Sequence, residues 1–153
     1  MRCYSGVMSP AFLFRVVIDT NVLFEGLTKQ GGAAGLIVDA WLDGLIQVNV
    51  SNALAYEYED VLSRKLSETR WQQIKPVLGT LLACSQFTVI YYSWRPTSPD
   101  QGDDLVIDCA MNANAMITTS NLRDFRSARE SLGLSVMTPV EVVTLLAMQA
   151  GEL

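Results

Sequence analysis

The chain has 153 residues, enough for a single domain with a substantial hydrophobic core. Half of its residues are hydrophobic and 18% are charged, which is typical of a folded protein and not of a disordered one. The formal net charge of -5 gives no long-range attraction to nucleic acid or to an anionic membrane. The sequence contains no histidine, which excludes Ser-His-Asp triads, HExxH zinc sites and histidine acid–base chemistry.

Short apolar runs alternate with amphipathic segments along the chain. In order, the pattern predicts strand 15–18, helix 33–44, strand 45–50, a helix from Ser51 or Asn52 through Leu66, a helix from Thr69 to Ala83 with a kink or break at Pro76, strand 87–92, a helix from Asp103 to Asn114, strand 115–120, a short helix within 121–133, strand 134–138, and a final helix with Pro139 in its first turn. Strands that alternate with helices predict an α/β protein whose mostly parallel sheet, of about five strands, is covered on both faces.

Three further segments bear on organisation and location. Residues 76–94 carry no charge, but polar residues interrupt them, which favours a helix end and a buried strand over a membrane span. We expect residues 1–14 to form an N-terminal extension, either disordered or the product of an upstream start, and residues 15–153 to form one domain. The apolar segment 144–153 packs either in the core or at a homodimer interface.

The three cysteines form no CxxC pair, which predicts free thiols in a cytoplasmic protein.

Acidic side chains follow the predicted strands. The chemistry-bearing positions are Asp19 at the end of the first strand, Glu57 in the helix after the second, Asp103, Asp104 and Asp108 in the helix after a Pro-rich loop, and Asn121 and Asp124 after the fourth strand. Because sites in parallel α/β sheets form at the carboxyl ends of the strands, these side chains are expected to meet at one edge. Two carboxylates about 4 Å apart repel by roughly 4 kcal/mol, so a shared edge favours a bound divalent cation. Mg²⁺ and Mn²⁺ prefer oxygen ligands, and without histidine a metal-activated water is the expected nucleophile for phosphodiester hydrolysis.

Each position also has a purely structural interpretation, which the residues alone leave open. Asp19 and Asp103 are good helix N-cap residues, and Glu57 shares a charged helix face with nearby acids and bases. Asn121 with Asp124 fits a variant of the capping box. The order of the whole set is more specific than any single member.

That ordered set resembles the PIN-domain nucleases, especially the branch of toxins from bacterial toxin–antitoxin pairs. The matching segments are "VVIDTNVL" (16–23), "SNALAYEYEDVLSRKL" (51–66) and "SPDQGDDLVIDCAMNANAMITTSNLRDF" (98–125), and the resemblance covers roughly residues 15–146. Two departures are the pair Gln101-Gly102, where relatives often carry Pro-Asp, and Asn121, where many carry aspartate. The second departure leaves open whether Asn121 or Asp124 is the fourth ligand.

The resemblance implies an α/β/α sandwich, a ribonuclease activity that depends on Mg²⁺ or Mn²⁺, and often a small antitoxin partner. It implies that Asp19, Glu57, Asp103 and Asp124 are catalytic and hold one or two metal ions. Asp108 and Asn121 are further candidate ligands, and Thr20, Asn21 and Thr119 would orient the ligands. Two basic groups are available for the phosphate backbone of RNA: Arg64, Lys65, Arg70 and Lys75, or Arg123, Arg126 and Arg129.

Two other functions compete with the nuclease interpretation. A haloacid-dehalogenase-like phosphatase also places an aspartate after its first strand, and "GDDLVID" (102–108) resembles its late acidic motif. However, that family requires a second aspartate where this chain has Asn21. The other competitor is a catalytically silent PIN-like module that binds RNA or a protein.

Overall fold

The computed structural model describes residues 14–93 and 101–151. The strands in these ranges are β1 (Phe14–Ile18), β2 (Ile46–Val50), β3 (Gln86–Phe87), β4 (Met116–Thr118) and β5 (Val136–Met137). The helices there are α1 (Thr20–Thr28), α2 (Ala33–Leu42), α3 (Asn52–Lys65), α4 (Glu68–Ala83), α5 (Gln101–Ala113), α6 (Arg126–Leu132) and α7 (Pro139–Gly151), with a 3₁₀ turn at Leu122–Phe125 before α6.

The five strands form one parallel sheet in the order β3-β2-β1-β4-β5. Val16 of β1 pairs with Val48 of β2 on one side and with Met116 of β4 on the other. The order reverses direction at the boundary between β1 and β4, which is where ligands bind in open parallel sheets. The fold therefore sets a candidate site at the carboxyl ends of these two strands.

The apolar strands lie in the core between two layers of helices. Val16, Val17 and Ile18 are buried, and α5 packs on β1, β2 and β4 while α2 packs on β2 and against α1 and α7. The predicted α/β/α sandwich around a parallel five-stranded sheet is confirmed.

Polar residues and a glycine lie at the ends of α3, α4 and α6, and of these only the start of α3 at Ser51 was predicted. The Ser51 side chain accepts a hydrogen bond from the Leu54 N–H and caps α3, and Ser67 caps α4 through the Arg70 N–H. Gly133 ends α6 with a φ of 69°, a left-handed conformation that glycine adopts at little cost.

Some expectations about the elements were wrong. No helix was expected over Thr20–Thr28, yet β1 leads directly into α1. Of the kink or break expected at Pro76, the break is absent, because α4 is one helix from Glu68 to Ala83 whose buried face packs in the core.

The predicted buried strand 87–92 is also wrong. Only Gln86–Phe87 pairs with β2, and the segment beyond is irregular, with Val89, Tyr91 and Tyr92 exposed. The reason is that β2 ends at Val50, whose carbonyl accepts the Thr88 N–H as the last ladder bond. Farther along, the side chain of Asn112 replaces a strand partner by accepting from the Tyr91 and Tyr92 N–H groups.

The two ends of the described chain differ in how they pack, and two cysteines differ in their bonding. Phe14, assigned by sequence to the extension, is the first residue of β1, and the rest of that extension lies outside the described residues. Leu146 packs against the core, whereas Met148 near the end of α7 is exposed. Cys109 is a buried free thiol, but Cys84 is disulfide-bonded, which contradicts the expectation of free thiols. Among the helices described here, none is long and apolar enough to cross a membrane.

Candidate metal site at the carboxyl edge of the sheet

A polar residue follows each strand at the carboxyl edge of the sheet. In strand order along the sequence these residues are Asp19, Ser51, Thr88, Thr119 and Thr138. Because all five strands are parallel, these residues lie along the same edge. A sheet interior made of Val and Ile thus ends in a row of oxygen-bearing side chains.

Asp19 stands at the middle of this edge. Its N–H donates to the Thr118 carbonyl at 2.9 Å, which extends the pairing of β1 with β4 by one residue. Its carboxylate Oδ2 accepts a 2.7 Å hydrogen bond from the Thr119 hydroxyl, and the residue is only 6% exposed. Although Asp19 occupies the N-cap position of α1, its side chain makes no capping hydrogen bond. The capping interpretation of Asp19 is therefore wrong, and its carboxylate is oriented toward β4.

Thr119 links Asp19 to the next two polar residues. The same hydroxyl that donates to Asp19 accepts the Asn121 N–H at 3.0 Å, and the Asn121 side-chain amide donates to Asp124 Oδ2 at 2.7 Å. The Asn121 side chain does not cap the 3₁₀ turn, so the capping-box interpretation is also wrong. Asp19, Thr119, Asn121 and Asp124 thus form one continuous hydrogen-bonded chain along the edge.

A second group of carboxylates comes from the first three turns of α5. Asp103, Asp104 and Asp108 are each at most 7% exposed, and α5 packs directly on β1. The helix already includes Gln101, so Asp103 lies in its first turn and not at the N-cap. Burying an ionised carboxylate costs free energy unless other groups compensate its charge. Three buried carboxylates therefore distinguish α5 from a helix whose acidic side chains face solvent.

The remaining predicted residues, Glu57, Thr20 and Asn21, have no described side-chain contact with the Asp19 carboxylate. Glu57 is half-buried in the second turn of α3, and no described hydrogen bond or ion pair joins its carboxylate to Asp19 or to α5. Thr20 is buried and Asn21 is exposed in the first turn of α1. The described contacts therefore bring together Asp19, Thr119, Asn121 and Asp124, and leave Glu57 connected to them only through its helix.

Sequence reasoning missed Tyr58. This side chain is fully buried, and its hydroxyl donates a 2.5 Å hydrogen bond to the carbonyl of Ile18, the residue before Asp19. Burial, followed by the nearby Cys109 and Asp19, raises the pKa of Tyr58 well above its usual value, which keeps the hydroxyl a donor. The signal was available, because a tyrosine at a core position of a predicted helix needs a buried acceptor.

The donor chemistry of this edge fits a hard divalent cation, since its candidate ligands are carboxylate and amide oxygens. Within residues 14–93 and 101–151, however, no group of three or more acidic or cysteine side chains is close enough to hold a metal ion as the side chains stand.

Comparisons with known proteins agree with this architecture. Residues 15–123 match the family model of the PIN domain. The fold is similar to that of VapBC2 from Rickettsia felis, solved bound to a promoter DNA fragment. The TM-score is 0.60, with 14% identity over 82% of this chain and 98% of that one.

Two further solved structures are similar. FitAcB from Neisseria gonorrhoeae has a TM-score of 0.57 and 20% identity over 81% of this chain and 97% of that chain. FitAB bound to an IR36 DNA fragment has a TM-score of 0.54 and 17% identity over 81% and 94%. No curated protein matches the sequence significantly. Because the family model covers most of the chain, including the segments that carry Asp19, Glu57, Asp103 and Asn121, the chain belongs to the PIN domain family of nucleases.

Proposed function

We propose that this protein is a Mg²⁺- or Mn²⁺-dependent endoribonuclease and the toxin of a toxin–antitoxin pair. The observation that carries the proposal is Asp19, a buried carboxylate at the switch point of the sheet whose orientation is fixed by Thr119. A structural role as a helix cap does not explain it, because the side chain makes no capping bond. Membership of the PIN domain family supports hydrolysis of phosphodiester bonds over the phosphatase alternative.

The residues divide into ligands and positioning groups. Asp19, Glu57, Asp103 and Asp124 would hold the metal, with Asp108 as a further candidate ligand on α5. When bound, the cation activates water and stabilises the charge that develops on phosphate oxygens. Thr119 donates to the Asp19 carboxylate and so orients it. Thr20 and Asn21, at the start of α1, would assist as further positioning groups.

The geometry favours Asp124 over Asn121 as the fourth ligand. The Asn121 amide nitrogen donates to Asp124 Oδ2, so Asn121 orients a carboxylate and presents its donor group to it. A carboxylate is the stronger ligand for a hard cation. We therefore assign Asn121 the role of positioning Asp124, which accommodates the departure of this chain from relatives with aspartate at that place.

The toxin assignment rests on the resemblance of the sequence motifs and on the similarity of the fold to VapBC2 and FitAB. It predicts a small antitoxin that binds this chain and inhibits RNA cleavage. A short reading frame adjacent to the one that encodes this chain would support the pairing.

Metal binding can be measured by calorimetric titration with Mn²⁺ and Mg²⁺. We expect the wild type to bind, Asp19→Asn to bind at least about tenfold more weakly, and Asp60→Asn to bind normally. Asp60 is a matched control because it is an exposed acid that pairs with Arg64 on α3. A wild type that binds neither metal would refute the nuclease and leave a silent RNA- or protein-binding module.

A further inference from the structure

Two basic groups lie on the surface of the chain, and their side chains differ in what they already contact. The first group belongs to α3 and α4 and consists of Arg64, Lys65, Arg70 and Lys75. The second, which we call the arginine row, consists of Arg123, Arg126 and Arg129 in the 3₁₀ turn and α6. The net charge of -5 makes any surface that attracts a polyanion a local property.

Most of the first group is engaged within the protein. Arg64 Nε lies 2.9 Å from Asp60 Oδ2, and Arg70 donates to the Thr28 carbonyl at 2.9 Å. Lys65 lies 5.3 Å from the centre of the Phe24 ring, a cation–π distance. Only Lys75 has no such contact among the described residues, so most donor groups of this set are already engaged.

The arginine row has the opposite character. All three residues are exposed, and none forms an ion pair or side-chain hydrogen bond with the described part of the chain. They are spaced three residues apart on a segment whose buried side consists of Phe125 and Ala128. That spacing places the three guanidinium groups on the solvent side of the segment.

The row is continuous with the candidate metal site. Arg123 precedes Asp124, which the Asn121 amide binds, and Asn121 in turn reaches Asp19 through Thr119. An RNA strand that lies along the arginine row would therefore lead to Asp124 and the carboxyl edge of the sheet. The segment has no exposed aromatic side chain for base stacking, because Phe125 is buried.

We propose that the arginine row binds the phosphate backbone of the RNA substrate and directs it to the acidic edge. Guanidinium groups bind phosphate through paired hydrogen bonds, and contacts of this kind carry no sequence information. The proposal rests on the ribonuclease function proposed above and names the surface that holds its substrate. It selects the row over the basic residues of α3 and α4.

The test measures binding separately from cleavage. Fluorescence anisotropy of a labelled single-stranded RNA oligonucleotide, with EDTA present to prevent metal-dependent cleavage, compares the wild type with R126Q/R129Q and with the charge-matched control R64Q/K75Q. All four substituted residues are exposed, so the variants should fold. At about 0.1 M salt we expect R126Q/R129Q to bind roughly ten- to thirtyfold more weakly, and the slope of log K against log salt to fall by about 1.4. The control should bind within about twofold of the wild type.

Equal affinity of R126Q/R129Q and wild type, or an equal loss in R64Q/K75Q, would overturn the proposal. Unchanged RNA affinity with lost binding to a polyglutamate peptide would also overturn it and assign the row to an acidic protein segment. A metal-dependent cleavage assay on the same proteins distinguishes the two proposals. If the wild type cleaves RNA and R126Q/R129Q binds RNA normally, only the proposal for the arginine row is wrong. If R126Q/R129Q binds RNA more weakly but the wild type does not cleave it, the arginine row is supported and the ribonuclease function is refuted.

Discussion

The Thr119 hydroxyl serves two neighbours at once. It donates to the Asp19 carboxylate and accepts from the Asn121 N–H, so one oxygen fixes both the first acid and the turn that carries Asp124. The family resemblance implied that Thr119 orients ligands, but its two hydrogen bonds depend on β1 and β4 being neighbours in the sheet. Strand order of this kind is not encoded in any local pattern.

Thr119→Val removes this hydroxyl with little change in shape. We expect a loss of about 1–3 kcal/mol in the free energy of unfolding, because a buried carboxylate and an N–H both lose a partner. The neighbour Thr118 supplies the control, since its buried hydroxyl has no hydrogen-bond partner among the described residues. Thr118→Val should therefore be neutral or stabilising. Urea denaturation of both variants measures the difference, and an equal loss in the two would contradict this account of Thr119.

Tyr58 connects α3, which carries Glu57, to the residue before Asp19. Tyr58→Phe keeps the ring and deletes the donor, so we expect about 1–2 kcal/mol lower stability together with a lower kcat and a nearly unchanged KM for RNA. Ser67→Ala is the control, because it removes the N-cap of the next helix, α4, at a cost of about 1 kcal/mol and lies outside the polar row at the sheet edge. The same loss of kcat in both variants would show that Tyr58 acts only through stability.

Cys109 is fully buried at the inner face of α5. Burial, as the largest cause, raises the pKa of its thiol from the usual 9.0 to about 12. Folding favours the protonated thiol, so the thiolate fraction at pH 8 is about a thousandfold lower than for an ordinary thiol. The free energy of unfolding that this preference contributes is fully present below pH 9.0 and is lost as the pH rises through about 12. Labelling of Cys109 by a disulfide reagent at pH 8 should be negligible until the chain unfolds, and rapid labelling of the folded protein would refute the burial.

Local signals in the sequence predicted most helices and strands, whereas one helix and the end of one strand were missed. The helix α1 was missed because polar Thr20 and Asn21 follow the strand, and the apolar residues after them were assigned no element. The end of β3 was missed because the alternating pattern of residues 87–92 shows β propensity but not the length of the partner strand. Asn112, which holds that segment, is remote from it in sequence.

The contact between α1 and α2 depends on one glycine. A Cβ built on Gly26 would lie 2.6 Å from the Ala34 carbonyl oxygen and 2.6 Å from a Val38 methyl group. Gly26→Ala must therefore push the two helices apart, and we expect it to cost about 1–3 kcal/mol.

Gly79 in α4 is the control for this prediction. A Cβ there meets no atom of residues 14–93 or 101–151 within 4 Å, so Gly79→Ala should stabilise the protein by about 0.5–1 kcal/mol through helix propensity. Thermal unfolding of the two variants should show shifts of opposite sign. A stable Gly26→Ala protein would mean that α1 and α2 pack less closely than described.

For the whole molecule, alternation of strands and helices predicted the parallel sheet, and the rule for carboxyl edges then predicted where Asp19 lies. The sequence could not predict which candidate ligands share hydrogen bonds, because Asp19 and Asp124 are joined through Thr119 and Asn121. Nor could it choose between the two basic groups, since pairing of Arg64 with Asp60 and of Arg70 with the Thr28 carbonyl depends on packing.

We expect Asp19 to serve catalysis and not folding. Asp19→Asn keeps an oxygen that can accept the Thr119 hydroxyl, so we expect the fold to be retained and the free energy of unfolding to change by less than about 1 kcal/mol. Circular dichroism and urea denaturation establish this before activity is compared.

The most direct test is cleavage of mixed RNAs in the presence of Mn²⁺, with wild type beside Asp19→Asn. We predict cleavage by the wild type that EDTA abolishes, and a rate for Asp19→Asn lower by more than about a hundredfold. Equal cleavage by the two folded proteins would contradict the assignment of Asp19 to the active site, and an unfolded Asp19→Asn protein would show that its role is structural.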